Sequence, residues 1–465
     1  RGIPGEAMLS ELLILLFFAP ILLTTAYYLV IFAAAARRKA APGDSGSAGG
    51  SCTLELLIPV KSEPVNIVSR TVHHALSALG RSCARSITVL SDDDPPAAEE
   101  LKKAASDPRV RVLRRDEPRG GRTGALDEYF LHHAKSEYVL VLDADAIIGE
   151  KALEEVCRRA DGCTTLILPW RAYYEERTRV AETMKFITDM GTIVLYLMRS
   201  RAGFFAFPLG SGTAFPTKVI SEVGGWGPGI VQDDIHIGVK LALAGYTTKV
   251  IESASLGILV PSKFQSLKKQ QRRWAYGTSE VLSRSLLPLL RAKRMPFWKR
   301  IEMIMYMSQP LQTVPLFSAF ILAPVVAALE PGVPLRFVLP EVLGLSLATA
   351  SLVAIYVYLF RKLSGVSAKA GEVLANIGRF AAILTVLSPI LSVSALRGLA
   401  RAGMPFEVTP KGEKEKALRG DSLPMVEALY ASASASLSLA LGNAAATLVS
   451  LALLAAALYA LARLR

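Results

Sequence analysis

The sequence predicts two parts of different class: an α/β domain on a mostly parallel sheet, and an α-helical transmembrane domain of four spanning helices with interfacial amphipathic helices beside them. Three observations carry this. Of 465 residues, 51% are hydrophobic and 20% charged, with a mean hydropathy of +0.36, too apolar for an ordinary soluble protein. Charge-free runs of membrane-spanning length occur near the start and repeatedly after residue 300. Between them, short β-branched runs alternate with helical stretches, the pattern of a parallel sheet covered on both faces. The same composition excludes disorder and collagen-like repeats.

Leu12 to Ala36 holds 25 residues without a charge and gives transmembrane helix 1 over 9–36. The run exceeds a signal-peptide apolar region of about 7–15 residues, so it reads as a retained anchor. A linker over 37–51 follows, Gly/Ser-rich from Pro42 to Ser51. LELLIPV, SITVL, VRVL, YVLVL, TLILP and TTKVI then mark the strands of the α/β domain, 52–262, whose ligands belong at strand carboxyl ends. Residues 263–300 are expected as basic interfacial helices. Met303 to Leu329, 27 uncharged residues, and Phe337 to Phe360, interrupted only by Glu341, give transmembrane helices 2 and 3 over 301–330 and 335–362. Phe380 to Leu396 is 17 residues with Pro389 inside. At about 1.5 Å per residue it falls short of a roughly 30 Å core, so 370–402 is placed along the inner membrane surface. A loop over 403–420 leads to Ala428 to Ala462, 35 uncharged residues read as transmembrane helix 4 over 427–463.

The net charge is +13, from 53 Lys and Arg against 40 Asp and Glu. The basic residues gather at membrane flanks (Arg37, Arg38 and Lys39; Arg291 to Arg300; Arg361 and Lys362), which makes anionic headgroups, rather than nucleic acid, the partner. They also place 37–300 in the cytoplasm and the N-terminus outside, in a cell membrane. The cysteines Cys52, Cys83, Cys157 and Cys163 form no CxxC pair and have no histidine at ligand spacing, so buried thiols are expected, without zinc or a disulfide.

No GxGxxG or GxxxxGK[ST] occurs, and nucleotide chemistry must come from acids. Asp143-Ala144-Asp145 ends an apolar strand, where residues two apart share a side and hard cations such as Mn2+ or Mg2+ find paired carboxylates. Asp92, Asp93 and Asp94 end another. Gln232-Asp233-Asp234 opens a helical stretch, and Gln270, Arg273 and Trp274 share one helical face. Each has a plainer reading: a surface loop, helix capping, with His236 a local hydrogen-bonding partner, or a basic segment docking on lipid.

Taken in order, IPVKSE (Ile58 to Glu63), SDDD (Ser91 to Asp94), GGRTGALDE, DAD, GSGTAF (Gly210 to Phe215), QDD and QQRRW resemble the motif set of membrane-bound inverting family-2 glycosyltransferases, over about Leu54 to Gly277. Phe406 to Gly412 is similar to the F-x-V-T-x-K-G gating loop of cellulose synthases. The resemblance implies a GT-A, Rossmann-like catalytic domain and a hexosyltransferase using a nucleoside-diphosphate sugar. Pro59, Glu63, Asp92 and Asp93 would bind the nucleoside, with Arg122, in place of the family's lysine, also on the donor. Asp143 would face the sugar or ribose, and Asp143 and Asp145 would hold Mn2+ or Mg2+. Asp234 would be the general base. Gln270, Arg273 and Trp274 would line the diphosphate and acceptor region, Thr409 and Lys411 would close over the donor, and Gly212, Thr213, Asp233 and Trp274 would meet the acceptor.

Further departures are Ser62 for the family's asparagine, Gln232-Asp233 for its T-E, and His236 for an acid. They fall on acceptor recognition. Four helices are too few to enclose a polymer channel in a monomer, so a membrane-lipid acceptor is expected, with the similarity to archaeal glycolipid mannosyltransferases leaning to GDP-mannose. The alternatives are a processive polysaccharide synthase using a UDP-sugar, and an inactive sugar-nucleotide-binding membrane protein. The sequence does not specify the oligomeric state.

Overall fold

The computed structural model describes residues 7–37, 52–80, 82–364, 369–404 and 409–464. Residues 38–51 of the expected linker, and Phe406, Glu407 and Val408 of the expected gating loop, lie outside them.

The strands are β1 Leu54–Val60, β2 Ala84–Ser91, β3 Val110–Arg114, β4 Tyr138–Val141, β5 Thr165–Ile167, β6 Trp170–Tyr173, β7 Thr213–Pro216, β8 Thr248–Val250 and β9 Leu256–Leu259. Seven of them form one sheet in the order β3-β2-β1-β4-β7-β5-β8, and β6 and β9 pair beside it. Only β7 runs antiparallel in the large sheet. β1 is apolar at nearly every position and buried at all but Pro59, as a central strand covered on both faces must be. The order β2-β1-β4 sets three carboxyl ends side by side, and the chain leaves them through Lys61–Glu63, Asp92–Asp94 and Asp143–Asp145. Acids about 30 and 50 residues apart in sequence thereby face one cleft.

The helices of this half are α1 Met8–Arg37, α2 Val65–Leu79, α3 Pro95–Ala104, α4 Gly121–Glu128, α5 Glu150–Arg159, α6 Arg179–Thr192, α7 Arg199–Arg201, α8 Thr217–Glu222, α9 Asp233–Ala244 and α10 Phe264–Arg291. α1 precedes the sheet and packs with the later apolar helices: α11 Phe297–Ser308, α12 Thr313–Leu329, α13 Leu335–Ser364, α14 Ala370–Leu399, then the short α15 Glu413–Lys416, α16 Leu423–Ala440 and α17 Ala444–Arg463. Among the described residues, five stretches are long and apolar enough to cross a membrane: Met8–Arg37, Phe297–Leu329, Leu335–Leu363, Ala370–Leu399 and Ala444–Arg463.

The run expected as one span over 427–463 is two helices folded against each other, α16 and α17. An apolar count cannot see the turn. Gly442 sits at φ 70°, the left-handed conformation that ends helices, and the Asn443 side chain caps α17 by accepting from the Ala446 amide at 2.9 Å. Small residues let the pair approach closely, with the Ser434 and Ser450 hydroxyls 2.7 Å apart.

One end of the bundle is tied by Glu330, whose carboxylate accepts from the Leu9 and Ser10 amides at 2.9 Å each, at the start of α1. Asn443 donates to the Glu330 carbonyl at 2.9 Å and to Ser10 Oγ at 3.0 Å. The other end meets the α/β domain through α14. Val373, near its start, packs with Ile193, Phe32 and Phe360, and Ile383 to Leu391 pack with Phe264 and Leu267 of α10 and Ala457 and Ala460 of α17. Gly398, near its end, faces the backbone of Tyr276 and Glu280. Both ends of α14 therefore lie on the α/β side. A buried ion pair adds a second tie, with the Arg199 guanidinium donating to both Glu302 oxygens at 2.7 and 2.8 Å while Tyr27 of α1 donates to one of them at 2.7 Å.

The cysteine expectation fails. Cys83 and Cys157 are joined by a disulfide, Cys52 is a buried thiol beside them, and Cys163 is exposed. α5 leaves the carboxyl end of β4 and returns along the sheet, so its last turn carries Cys157 to the root of β2, where Cys83 lies. No local spacing announces a pair 74 residues apart.

Candidate active site

A cavity of about 450 Å³ opens at the carboxyl ends of β1, β2 and β4. Its lining includes Pro59, Glu63, Asp92, Arg122, Asp143, Asp145, Asp233, Asp234, Gln270, Arg273, Trp274, Thr409 and Lys411. Sheet topology brings the first acids together, and α9 and α10 bring the rest. Asp233 and Asp234 form the first turn of α9, while Gln270, Arg273 and Trp274 sit one turn apart along α10.

Asp234 is fixed on three sides. Its Oδ1 accepts from Gln232 Nε2 at 2.9 Å and the Ile235 amide at 2.7 Å, and its Oδ2 accepts from the Gly210 amide at 3.1 Å. Burial, and after it the adjacent Asp233 carboxylate, pushes its pKa up to about 7. A carboxylate so placed takes a proton near neutrality. Arg122 holds the neighbouring wall: Nη1 donates to Asp143 at 2.9 Å, Nε lies 3.2 Å from Asp233, and Nη2 donates to the Gly210 carbonyl. His236, two residues beyond Asp234, is pushed down to about 4, chiefly by burial, and is neutral at pH 7.

On the other side, the Lys411 ammonium lies 3.2 Å from Asp145 Oδ1 and 3.4 Å from Glu63 Oε1. Burial raises the pKa of both carboxyls, and Lys411 opposes that rise. These buried oxygens need a cation, and as hard donors they suit a divalent one such as Mn2+ or Mg2+. Asp143, expected as a second metal ligand, pairs with Arg122 at 2.9 Å.

The segment after Lys411 is docked. Lys414 donates to the Ser62 carbonyl at 2.7 Å, and Glu415 accepts from the Ser262 and Lys263 amides at the start of α10 at 2.9 and 3.0 Å. Thr409 Oγ1 is buried at the cavity wall without a partner among the described residues.

Other expected residues stand elsewhere. Asp92 reaches the cavity wall, but both its oxygens are taken by the buried Arg115 guanidinium, at 2.6 and 2.7 Å. Asp93 faces an adjoining cleft with Asp94, Glu100 and Lys414, and accepts from the Ser62 amide, holding Ser62 at φ 57°. Gly212 and Thr213 do not line the cavity: Gly212 packs against Leu168 and Leu256, and the Thr213 hydroxyl is spent on the Leu209 backbone. The strand pairing of β7 turns them inward. Conversely, Gly210 supplies both an amide to Asp234 and a carbonyl to Arg122, and Ser211 Oγ accepts from the Asp143 amide at 2.8 Å. Arg115 and Glu415 carry no motif signal, since each acts through a partner 23 or more than 150 residues away.

A family model described as glycosyl transferase family group 2 matches residues 138–330. A probable glycosyltransferase of Sulfolobus acidocaldarius is 26% identical over 375 residues, 78% of each chain. A glucomannan 4-beta-mannosyltransferase of Oryza sativa subsp. japonica is 23% identical over 230 residues, 47% of this chain and 44% of that one. The structure of a mannosyltransferase from Pyrobaculum calidifontis in complex with GDP-Man and Mn2+ superposes with a TM-score of 0.57 at 18% identity, covering 83% of this chain and all of that one. That likeness gives the fold, GT-A.

Proposed function

We propose that this chain, in which a glycosyl transferase family group 2 model matches residues 138–330, is a hexosyltransferase that moves a mannosyl group from GDP-mannose to a membrane lipid by a single inverting displacement. The observation that carries this is the cavity's division of charge: a base titrating near 7 on one wall, and Glu63, Asp145 and Lys411 on the other. The mannosyl lean rests on the relatives' names and on the neighbour's bound donor.

The acceptor hydroxyl would approach Asp234, whose carboxylate removes the proton as the oxygen attacks the anomeric carbon. Arg122 pairs with both Asp143 and Asp233 beside it and holds that wall in place. The leaving diphosphate gathers charge where Arg273 and Lys411 line the cavity, and fixed cations there stabilise the transition state more than the ground state. A divalent cation bound by Asp145, with Glu63 close by, would supply further neutralisation of that diphosphate.

The lipid acceptor is supported by the packing of the cavity's own helix, α10, on α14 and thereby on the apolar bundle. Radiolabelled GDP-mannose incubated with the full chain and extracted lipid should give one organic-soluble product. A ladder of lengths would replace this reading with polysaccharide synthesis, and stabilisation by UDP but not GDP in a thermal shift would replace the donor.

The ties described above support a topology in which, with the α/β domain cytoplasmic, α1, α11–α12, α13, α16 and α17 cross the bilayer, α14 lies along its inner surface, and the last turn of α17 returns inside. A cysteine placed at Gly442 should react with an impermeant reagent from outside and one at Leu464 should not; the reverse pattern would reject the arrangement.

Thr409 to Gly412 acts as a lid over the donor diphosphate. Lys411 neutralises Asp145 and Glu63 when no donor is present and turns to the diphosphate when it is. Lys411→Ala is expected to lower turnover at saturating donor by about 10- to 100-fold, while free nucleoside diphosphate with metal binds at least as tightly. Unchanged turnover would leave the segment an ordinary basic loop.

A further inference from the structure

Three of the four cysteines meet at the pole of the sheet opposite the cavity. Cys52 stands two residues before β1, Cys83 one residue before β2, and Cys157 on the last turn of α5. β1 and β2 are parallel neighbours that begin with Leu54 opposite Ala84, so their roots are adjacent. α5 delivers the third sulfur there. Cys83 is bonded to Cys157, and the Cys52 sulfur lies 2.9 Å from that of Cys83 and 3.7 Å from the Cys157 carbonyl. All three sulfurs lie within 4.8 Å of one another.

We propose that these residues form one thiol–disulfide exchange unit in which Cys83 is the shared sulfur and Cys52 and Cys157 are its alternative partners. The deprotonated Cys52 sulfur attacks Cys83; the Cys52–Cys83 bond forms as the Cys83–Cys157 bond breaks, and the electron pair leaves on Cys157. Cys157 then takes up the proton that Cys52 gave. One disulfide is exchanged for another, so neither an oxidant nor a reductant enters.

Contact decides who can exchange. Cys163 is exposed and hydrogen-bonded within its own turn to Asp161, outside the trio. Burial, and after it Glu137, holds the Cys52 thiol above its usual pKa, which keeps it a thiol beside the resting Cys83–Cys157 pair. Among the described residues no histidine or carboxylate joins the three sulfurs, so a four-coordinate metal site lacks its fourth protein ligand. The consequence is mechanical. In one pairing the root of β2 is tied to α5, and in the other to the root of β1, where the chain arrives from residues 38–51. Exchange keeps Cys83 cross-linked in either pairing, and modification of the Cys157 thiol released in the second leaves the Cys52–Cys83 bond in place.

Thiol counting on the full chain in detergent tests this. Unfolded and alkylated without reduction, the wild type offers two cysteines, Cys163 and whichever of Cys52 and Cys157 is unpaired. Air-oxidised Cys157→Ser is expected to offer only Cys163, with peptide mapping recovering a Cys52–Cys83 link. Alkylation of Cys52, Cys83 and Cys163 together would overturn the proposal. Should that variant not fold, acid-quenched digestion of the wild type makes the same distinction: both Cys83–Cys157 and Cys52–Cys83 peptides are expected, and recovery of the first alone overturns it. One equivalent of Zn2+ retained by the reduced wild type against a chelator would also overturn it, in favour of a thiolate metal site.

Discussion

Asp234→Asn is expected to lower hexosyl transfer by about 100- to 10,000-fold and to leave donor binding intact. The amide fills the same space and keeps an oxygen for the Gly210 or Ile235 amide, but it cannot take the acceptor's proton. The base must be ionised to act. Because burial and Asp233 push its pKa up to about 7, transfer by the wild type should rise with pH through about 7 and fall away below it. Asp233→Asn removes the second of those causes, so the acid limb should shift to lower pH while burial keeps it above the ordinary carboxylate range. Single-turnover rates measured from pH 5 to 9, with donor affinity measured alongside, read both effects. Substantial transfer by the asparagine variant would take Asp234 out of the mechanism.

Asp145→Ala is expected to fail at an earlier step, the binding of nucleoside diphosphate that depends on a divalent cation. Asp145 is 5% exposed just beyond β4 and shares the Lys411 ammonium with Glu63, and in the proposed mechanism it would hold the cation at the donor's diphosphate end. In a thermal shift, GDP with Mn2+ at about 100 times its dissociation constant should stabilise the wild type by about 2.7 kcal/mol and leave the variant nearly unmoved. The two variants thus separate chemistry from binding. If EDTA leaves wild-type binding and transfer intact, the assignment of a cation to Asp145 is wrong.

What the sequence determined by itself was whatever depends on local pattern. Strand ends carrying IPVKSE, SDDD and DAD, the helix-opening QDD and the QxxRW face were legible because period and spacing place side chains on a given side of one element, and the order of the motifs carried the resemblance to family-2 glycosyltransferases. The catalytic half's class, its mostly parallel sheet and the presence of membrane-length apolar helices followed. Tertiary structure decided everything that depends on which elements become neighbours. The order β2-β1-β4 turned separate acids into one cleft, while Arg115 paired with both oxygens of Asp92 and Arg122 bridged Asp143 and Asp233. β7's pairing turned Thr213 inward, and α5's return brought Cys157 to Cys83. The last apolar run was divided at Gly442 and Asn443, a turn whose flanking backbone groups, the Leu441 carbonyl and the Ala444 amide, bond to Gly332 and Val333 more than 100 residues earlier. Spacing along a chain reports what one helix or strand presents; charge pairing, burial and chain reversal are set by partners far away in sequence, and only the folded chain brings those partners into contact.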